Sequence, residues 1–297
     1  MGIADLVPGV SGGTIAFILG IYNELIFSLS KLSFSSLKKL KNEGLTVFWI
    51  EINGNFLVKL FSGILIGVSL FTYLIDWLIN NYPIPLWAFF IGILLSSTVF
   101  MYKKIKIPNI KLLLYLFLGI LISFAITQIS PTSENKSISE LYLFLSSFIA
   151  ISAMILPGIS GAYILILFGT YSEVISIIKG GLNIFLQQDY TNLNSVLYKV
   201  CIIGFGIMSG ILIFSKLFKW LLIKFYDKTL VFLIGLMLGG LNKIWPWQEN
   251  SENVLPFNYS GEKYIIVSFI FFILGTLFIF SVQFIEKQKY NDKKENN

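Results

Sequence analysis

Apolar residues run along this chain in long unbroken stretches separated by short polar connections. Six stretches, at about 56–80, 86–102, 111–129, 198–224, 229–245 and 264–285, are each long enough to cross a hydrocarbon core of ~30 Å as a helix. Strict in–out alternation, the mark of a membrane β-barrel, is absent from them. Two further stretches, 3–29 and 140–178, are apolar but interrupted by Pro and Gly. The pattern therefore predicts an all-α polytopic membrane protein with about six full spans and two broken segments.

The two interruptions are copies of one another. Pro8-Gly9-Val10-Ser11-Gly12 returns 149 residues later as Pro157-Gly158-Ile159-Ser160-Gly161, and the match continues without a gap through Ile15/Ile164, Gly20/Gly169, Tyr22/Tyr171 and Glu24/Glu173. A second alignment, 66–97 on 209–240 at an offset of 143, brings Gly67/Gly210, Phe71/Phe214, Trp77/Trp220, Phe89/Phe232 and Gly92/Gly235 into register. Gly119 and Gly275 fall at matching places in the last helix of each half. The chain reads as a duplication, with a first repeat over 1–136 and a second over 137–297. In the second copy some sixteen residues (141–156) precede the break, against seven in the first, so the symmetry predicts a native protein that begins upstream of Met1.

Charge sets the orientation. Lys31, Lys38, Lys39 and Lys41, then Lys103, Lys104, Lys106 and Lys111, then Lys216, Lys219, Lys224 and Lys228, and finally Lys287, Lys289, Lys293 and Lys294 occupy alternate connections, while the other connections are poor in Lys. The excess of Lys marks the cytoplasmic side. All four clusters share that side only if each broken segment enters and leaves on one face. Both are then re-entrant hairpins, the first dipping from the cytoplasm and the second from outside. Three spans separate them, so the repeats are inverted and the C-terminus is cytoplasmic.

Composition narrows the chemistry. The chain has 297 residues, 56% hydrophobic and only 13% charged, with a net charge of +6; soluble domains carry about 25% charge. All 22 basic residues are Lys and there is no His. Imidazole relays and guanidinium clamps are therefore unavailable, which argues against the His-based membrane lipid phosphatases. No metal site or cofactor is expected, the single Cys201 is read as packing, and nothing points to nucleic acid.

In a membrane protein, broken backbone at depth must be compensated by protein, water or ligand. At each predicted apex Pro stops the incoming arm and Gly permits a tight turn. Ser11 and Ser160 are placed to cap outgoing helices, expected over roughly 12–28 and 161–178. Free amides at those starts suit an anion, with Gly12, Gly13 and Gly161 admitting a ligand close to the backbone and Thr14 and Tyr163 adding hydroxyls. The same motif would also serve simply to turn a hairpin, and freed carbonyls would suit a cation. Asp5 lies three residues before Pro8 and is expected near the first apex, as a proton site or a cap. Glu24 and Glu173 fall twelve residues past Gly12 and Gly161, so they are expected at an interface, with ion coupling as the alternative role. Gly63, Gly67, Gly204, Gly206 and Gly210 are expected at helix contacts.

Met1-Gly-Ile-Ala-Asp-Leu-Val-Pro-Gly-Val-Ser-Gly-Gly-Thr14, with Gly20-Ile-Tyr22, resembles the N-terminal signature of a prokaryotic membrane family associated with polyprenyl-phosphate transport, the PopT-like proteins. Leu156-Pro-Gly-Ile-Ser-Gly161 and Gly169-Thr-Tyr171 resemble its second signature. The resemblance spans essentially the whole chain. It implies a non-enzymatic transporter in the bacterial cytoplasmic membrane that returns undecaprenyl phosphate from the outer to the cytoplasmic leaflet. Asp5, Pro8, Gly9, Ser11, Gly12, Gly13 and Thr14, with Pro157, Gly158, Ser160 and Gly161, would form the substrate site. The implied partners are the polyprenyl-phosphate lipid and the surrounding membrane lipids; a homo-oligomer is compatible with the sequence. The competing reading is a carrier or channel for a small anion or ion that uses the same two apices.

Overall fold

Pro83 opens a long helix in the first turn, where its missing N–H breaks no bond, and that helix becomes the centre of the molecule. A computed structural model describes residues 1–6, 11–129, 138–177, 180, 193–249 and 252–295. Its helices, in chain order, are α1 (Gly2–Asp5), α2 (Gly12–Ile18), α3 (Tyr22–Lys31), α4 (Phe34–Glu43), α5 (Leu45–Glu51), α6 (Gly54–Asn81), α7 (Pro83–Lys103), α8 (Leu112–Gln128), α9 (Glu140–Ile155), α10 (Gly161–Leu167), α11 (171–177), α12 (Leu193–Lys224), α13 (Tyr226–Gly240) and α14 (Ile265–Glu295). A 3₁₀ turn, Leu241–Ile244, extends α13, and a two-stranded hairpin, β1 (Gln248–Glu249) and β2 (Glu252–Asn253), follows it.

The protein is an all-α, multi-pass membrane protein. Among the described residues, α6, α7, α12 and residues 265–284 of α14 are long and apolar enough to cross a membrane, and α2 with α3 would make a fifth if the bent pair were one span. This corrects the expectation of six full spans. Helices stand at all six places, but α8 has 17 residues and α13 only 15. At 1.5 Å per residue these are about 25 and 22 Å long, short of the ~30 Å core. α13 tolerates the shortfall because its neighbours, and not lipid, cover nearly all of it.

Burial separates a centre from a periphery. About two-thirds (67%) of the apolar window of α7 is buried inside the protein, against 6% of α6 and 11% of α12. The outward faces of α6 and α12 carry Leu65, Leu70, Tyr73, Phe205 and Ile213, all well exposed. Such a surface suits lipid and would be an aggregation hazard in water.

Glycines set the closest helix crossings. A Cβ on Gly92 would strike the Phe272 carbonyl of α14, and one on Gly275 would strike the Phe89 carbonyl of α7. The same arrangement recurs where α8 meets α13: a Cβ on Gly119 would strike Phe232 O and one on Gly235 would strike Leu116 O. α9 packs on α12 in a similar way through Gly206 and Gly210, whose added Cβ atoms would lie 2.7 and 2.8 Å from the Phe144 and Phe148 carbonyls. Gly63 and Gly204, expected at helix contacts, instead face open space.

The broken segments depart furthest from expectation. The outgoing helix after each Pro-Gly break runs for one short stretch and then turns sharply; α2 and α3 are bent by 117°. Gly20 (φ 71°) ends α2, with Gly20 N–H bonded to Phe17 O and Ile21 N–H to Ala16 O. Gly169 (φ 62°) ends α10 in the same way, through Gly169 N–H to Ile166 O and Thr170 N–H to Leu165 O. Both are glycine-terminated Schellman ends, which only a left-handed residue allows. The first Lys-rich connection is also not a plain loop: it folds into α4, capped by Ser33, and α5.

Charged connections gather as the sequence groups them. Asp227, at the start of α13, accepts bonds from the amides of Lys106 (2.9 Å) and Ile107 (3.1 Å), just beyond the end of α7. Lys219 lies over the Phe27 ring of α3 at 5.2 Å. The start of α13 therefore lies at the end of α7, so these two central helices begin at opposite ends of the bundle. At the other end, Trp245 Nε1–H donates to Val254 O and Trp247 Nε1–H to Lys263 O, fastening the hairpin. The Ser260 amide, donating to Glu249, holds that carboxyl below its usual range.

Replacing Gly235 by Val should lower stability by about 1–3 kcal/mol, because the new side chain meets rigid backbone of α8. Gly63→Ala should be neutral or stabilising by up to about 1 kcal/mol, since it removes backbone freedom at no steric cost. Thermal unfolding of the purified variants in detergent, followed by Trp fluorescence, checks both.

Candidate functional site

The first tip is assembled around Ser11. Its backbone is extended, and its side chain accepts from Gly13 N–H at 3.1 Å, a local N-cap of α2. Its own carbonyl accepts from Thr14 N–H at 3.0 Å. Asp5, the last residue of α1, reaches across so that Oδ1 accepts from Gly12 N–H at 2.7 Å. The amides expected to be open to an anion are thus engaged within the chain. A carboxylate of the protein takes the place that an anionic ligand would take, which is a charge-assisted bond of the stronger kind. Asp5 Oδ2 is buried and has no hydrogen-bond partner among the described residues. Pro8 and Gly9 lie outside the described residues.

The second tip breaks more abruptly. α9 ends at Ile155, Leu156 is extended, and Gly158 takes a φ of +89°. A Cβ there would lie 2.8 Å from the Met237 backbone of α13, so Gly158 is required both for its turn and for its close approach. Gly161, which opens α10, likewise sits where a Cβ would be 2.8 Å from Ala150 O. Ser160 stands at the cap position in extended backbone, but its side chain makes no cap hydrogen bond. The expectation that both serines cap is therefore met at Ser11 and not at Ser160. Ser160 faces instead a cavity of about 20 Å³, room for about one water molecule. Pro157 precedes it in the turn, and Tyr163, Ser123, Thr127 and Lys243 share the same small space.

The two tips meet. Ser11 Oγ donates to Leu156 O at 3.1 Å, Thr14 Oγ1 accepts from Gly158 N–H at 3.1 Å, and Tyr22 Oη donates to Ile155 O at 3.1 Å. A Cβ on Gly13 would stand 3.0 Å from Ile155 O. Ser11, Thr14 and Tyr22 are all fully or almost fully buried. The carbonyls and amide orphaned by the break after α9 are thus satisfied by side chains of the first hairpin. Asp5, Ser11, Gly12, Gly13, Thr14, Pro157, Gly158, Ser160, Gly161 and Tyr163 form one neighbourhood.

Glu24 and Glu173 do not join it: each lies past a glycine stop, Gly20 or Gly169, and after Gly20 the chain turns by 117°. Glu24 Oε1 accepts from Asn53 Nδ2 at 2.8 Å, and Glu173 pairs with Lys199 Nζ at 2.5 Å. Each ties its hairpin to the start of the following long helix, α6 or α12.

Two residues of the site were missed in the sequence. Tyr22 was visible as half of the Tyr22/Tyr171 pair, and its role as a buried donor needed only the rule that a buried hydroxyl finds a partner. Lys243 carried no such signal. Its ammonium lies 5.1 Å from the centre of the Tyr163 ring and has no acidic partner among the described residues. It places positive charge beside the second tip.

Residues 1–264 match the VCA0040-like family, described as undecaprenyl phosphate translocase-like. The chain is 43% identical over 263 residues to a polyprenyl-phosphate transporter of Vibrio cholerae serotype O1, an alignment covering 89% of this chain and 80% of that protein. It is 32% identical over 297 residues to a polyprenyl-phosphate transporter of Staphylococcus aureus, covering 93% of each. No solved structure matches the chain.

The bond between the tips can be tested at Thr14. Thr14→Val keeps the shape but leaves the Gly158 N–H buried without an acceptor, and should cost about 1–3 kcal/mol of stability. Thr14→Ser, which restores the acceptor, should recover most of that loss in the same thermal unfolding measurement.

Proposed function

The chain belongs to the VCA0040-like, undecaprenyl phosphate translocase-like family, and from that premise we propose that it moves undecaprenyl phosphate from the outer to the cytoplasmic leaflet of a bacterial cytoplasmic membrane. The polyprenyl-phosphate transporters it resembles over most of their length support the substrate class. The same reading makes the protein a transporter and not an enzyme, with its Lys-rich connections and C-terminus in the cytoplasm.

Two inverted repeats, 1–136 and 137–297, provide the framework of this reading. Each is a re-entrant hairpin with three longer helices, α6–α8 in the first repeat and α12–α14 in the second; the first also carries α4 and α5 between hairpin and helices. Support comes from helix limits that recur at constant offsets: α2 and α10 start and stop 149 residues apart, α6 and α12 end 143 residues apart, and α7 and α13 begin 143 residues apart. The opposed directions of α7 and α13 fit inversion.

The observation that carries the function is the junction of the two tips. A phosphate crossing the membrane leaves water for a medium in which bare charge is prohibitive. It needs donors already in place, and those near the junction are the Gly12 amide, once Asp5 leaves it, the hydroxyls of Thr14, Ser160 and Tyr163, and the ammonium of Lys243. In the conformation described, the carboxylate of Asp5 holds the Gly12 amide. The headgroup takes that amide by displacing Asp5, and Asp5 reclaims it when the lipid leaves. The prenyl tail stays in apolar surroundings throughout, so only the headgroup crosses the polar junction.

Reconstituted liposomes carrying labelled undecaprenyl phosphate test the function. Loss of label from the outer leaflet must exceed that in protein-free vesicles; equal rates would reject it. Transport of inorganic phosphate with no lipid movement would favour a small-anion carrier. Asp5→Asn should slow turnover by about tenfold while tightening apparent affinity for the lipid, because a neutral amide competes less well for the Gly12 N–H than a carboxylate does. Unchanged turnover would remove Asp5 from the cycle.

A further inference from the structure

Two apolar grooves flank the junction, and they are copies of each other. The larger, about 680 Å³, lies between α6, the first half of α7, α14 and the first hairpin, and is lined in part by Phe71, Leu78 and Phe89. The smaller, about 410 Å³, lies between α8, α12 and α13, and is lined in part by Phe214, Leu221 and Phe232. Every residue of α12, α13 and their connection that lines the smaller groove has its partner, 143 positions earlier, lining the larger one.

Their positions are opposed. The first groove surrounds the start of α7, and the second surrounds the start of α13, which Asp227 fixes at the end of α7. α7 has 21 residues and is about 31 Å long, so the grooves open toward opposite faces of the membrane. Both also reach the tips. Ile15, next to Thr14, lines the first groove; Leu156, whose carbonyl accepts from Ser11, lines the second.

Of the seven paired positions, one differs in charge. Pro85 in the first groove is replaced by Lys228 in the second. Lys228 Nζ lies over the rings of Phe225 (5.1 Å) and Tyr115 (5.4 Å) and has no acidic partner among the described residues. A cation at the rim of an apolar groove complements a molecule with an anionic head and a hydrocarbon tail. Grooves of several hundred Å³ are of the size that holds a small-molecule ligand, and so part of a long isoprenoid chain.

We propose that the two grooves are equivalent seats for the isoprenoid chain, one opening to each leaflet, and that Lys228 binds the phosphate at the seat beside α13. The inference rests on the transport of a polyprenyl phosphate proposed above. In passage the headgroup crosses the tip junction while the chain leaves one seat and enters the other. The seat beside α13 holds the phosphate more tightly, because its partner has an imino acid where it has an ammonium.

The test is photo-crosslinking of the full chain in phosphatidylethanolamine–phosphatidylglycerol liposomes, using a polyprenyl phosphate that bears a diazirine on its isoprenoid chain. Labelled peptides are located by mass spectrometry. Labels should fall in both 71–93 and 214–232, and excess undecaprenyl phosphate should displace them. Lys228→Gln, an exposed position, should reduce labelling of 214–232 by about tenfold and leave 71–93 within about twofold. Displaceable labelling confined to one groove, or lying elsewhere, overturns the paired seats while leaving the transport reading standing. Labelling of 214–232 that is indifferent to Lys228→Gln overturns the role of that residue. Labelling that undecaprenyl phosphate does not displace overturns the substrate and the seats together.

Discussion

Backbone that is broken inside a membrane must find hydrogen-bond partners within the protein, and here one broken hairpin supplies them to the other. The chain after α9 frees the carbonyls of Ile155 and Leu156 and the amide of Gly158; Tyr22, Ser11 and Thr14 of the first hairpin take them up. In low dielectric each such bond is strong and each missing partner is expensive. Neither hairpin is therefore a complete unit. The polar centre exists only when both are docked, which is why hydroxyl side chains are fully buried in a protein otherwise filled with Leu, Ile and Phe.

Docking two short hairpins against each other requires a scaffold that does not spread. Gly92 against Gly275, and Gly119 against Gly235, let carbonyls of one helix lie where a Cβ of the next would be. Small residues at such crossings replace the hydrophobic drive that helices lack in lipid. The α7–α14 and α8–α13 contacts, built alike, brace the centre from both sides, as the proposed duplication implies. The outer helices α6 and α12, mostly exposed, complete the walls of the apolar grooves.

The tips are matched in sequence but not in state. At the first, Asp5 occupies the amide of Gly12 as an internal anion; at the second, Met154 stands at the matching position and the nearby charge is the cation Lys243. In the proposed inverted arrangement, identical ends would treat the two sides alike. Here one end carries its own competitor for an anion and the other an attractor, and the same inequality returns at the grooves with Pro85 and Lys228. For the proposed passage of a phosphate lipid, this chemical polarity gives the two faces different affinities within one pseudo-symmetric frame.

The sequence by itself determined the membrane class, the doubled Pro-Gly breaks and the extent of the long helices. These follow from local rules: apolar length, breaker residues and caps act over a few positions. It also holds the glycines that end α2 and α10, but a repeated Gly does not by itself declare a left-handed stop, so the pattern predicts outgoing helices longer than those observed and sets Glu24 and Glu173 along a straight line that the structure bends. Only the tertiary structure decided which groups pair. Whether Asp5 or a ligand holds the Gly12 amide, whether Ser160 caps, that Tyr22 reaches Ile155, and that Lys243 stands over Tyr163 all depend on contacts between residues up to 145 positions apart. Such contacts are fixed by the packing of whole helices, and no local pattern of residues encodes their distance.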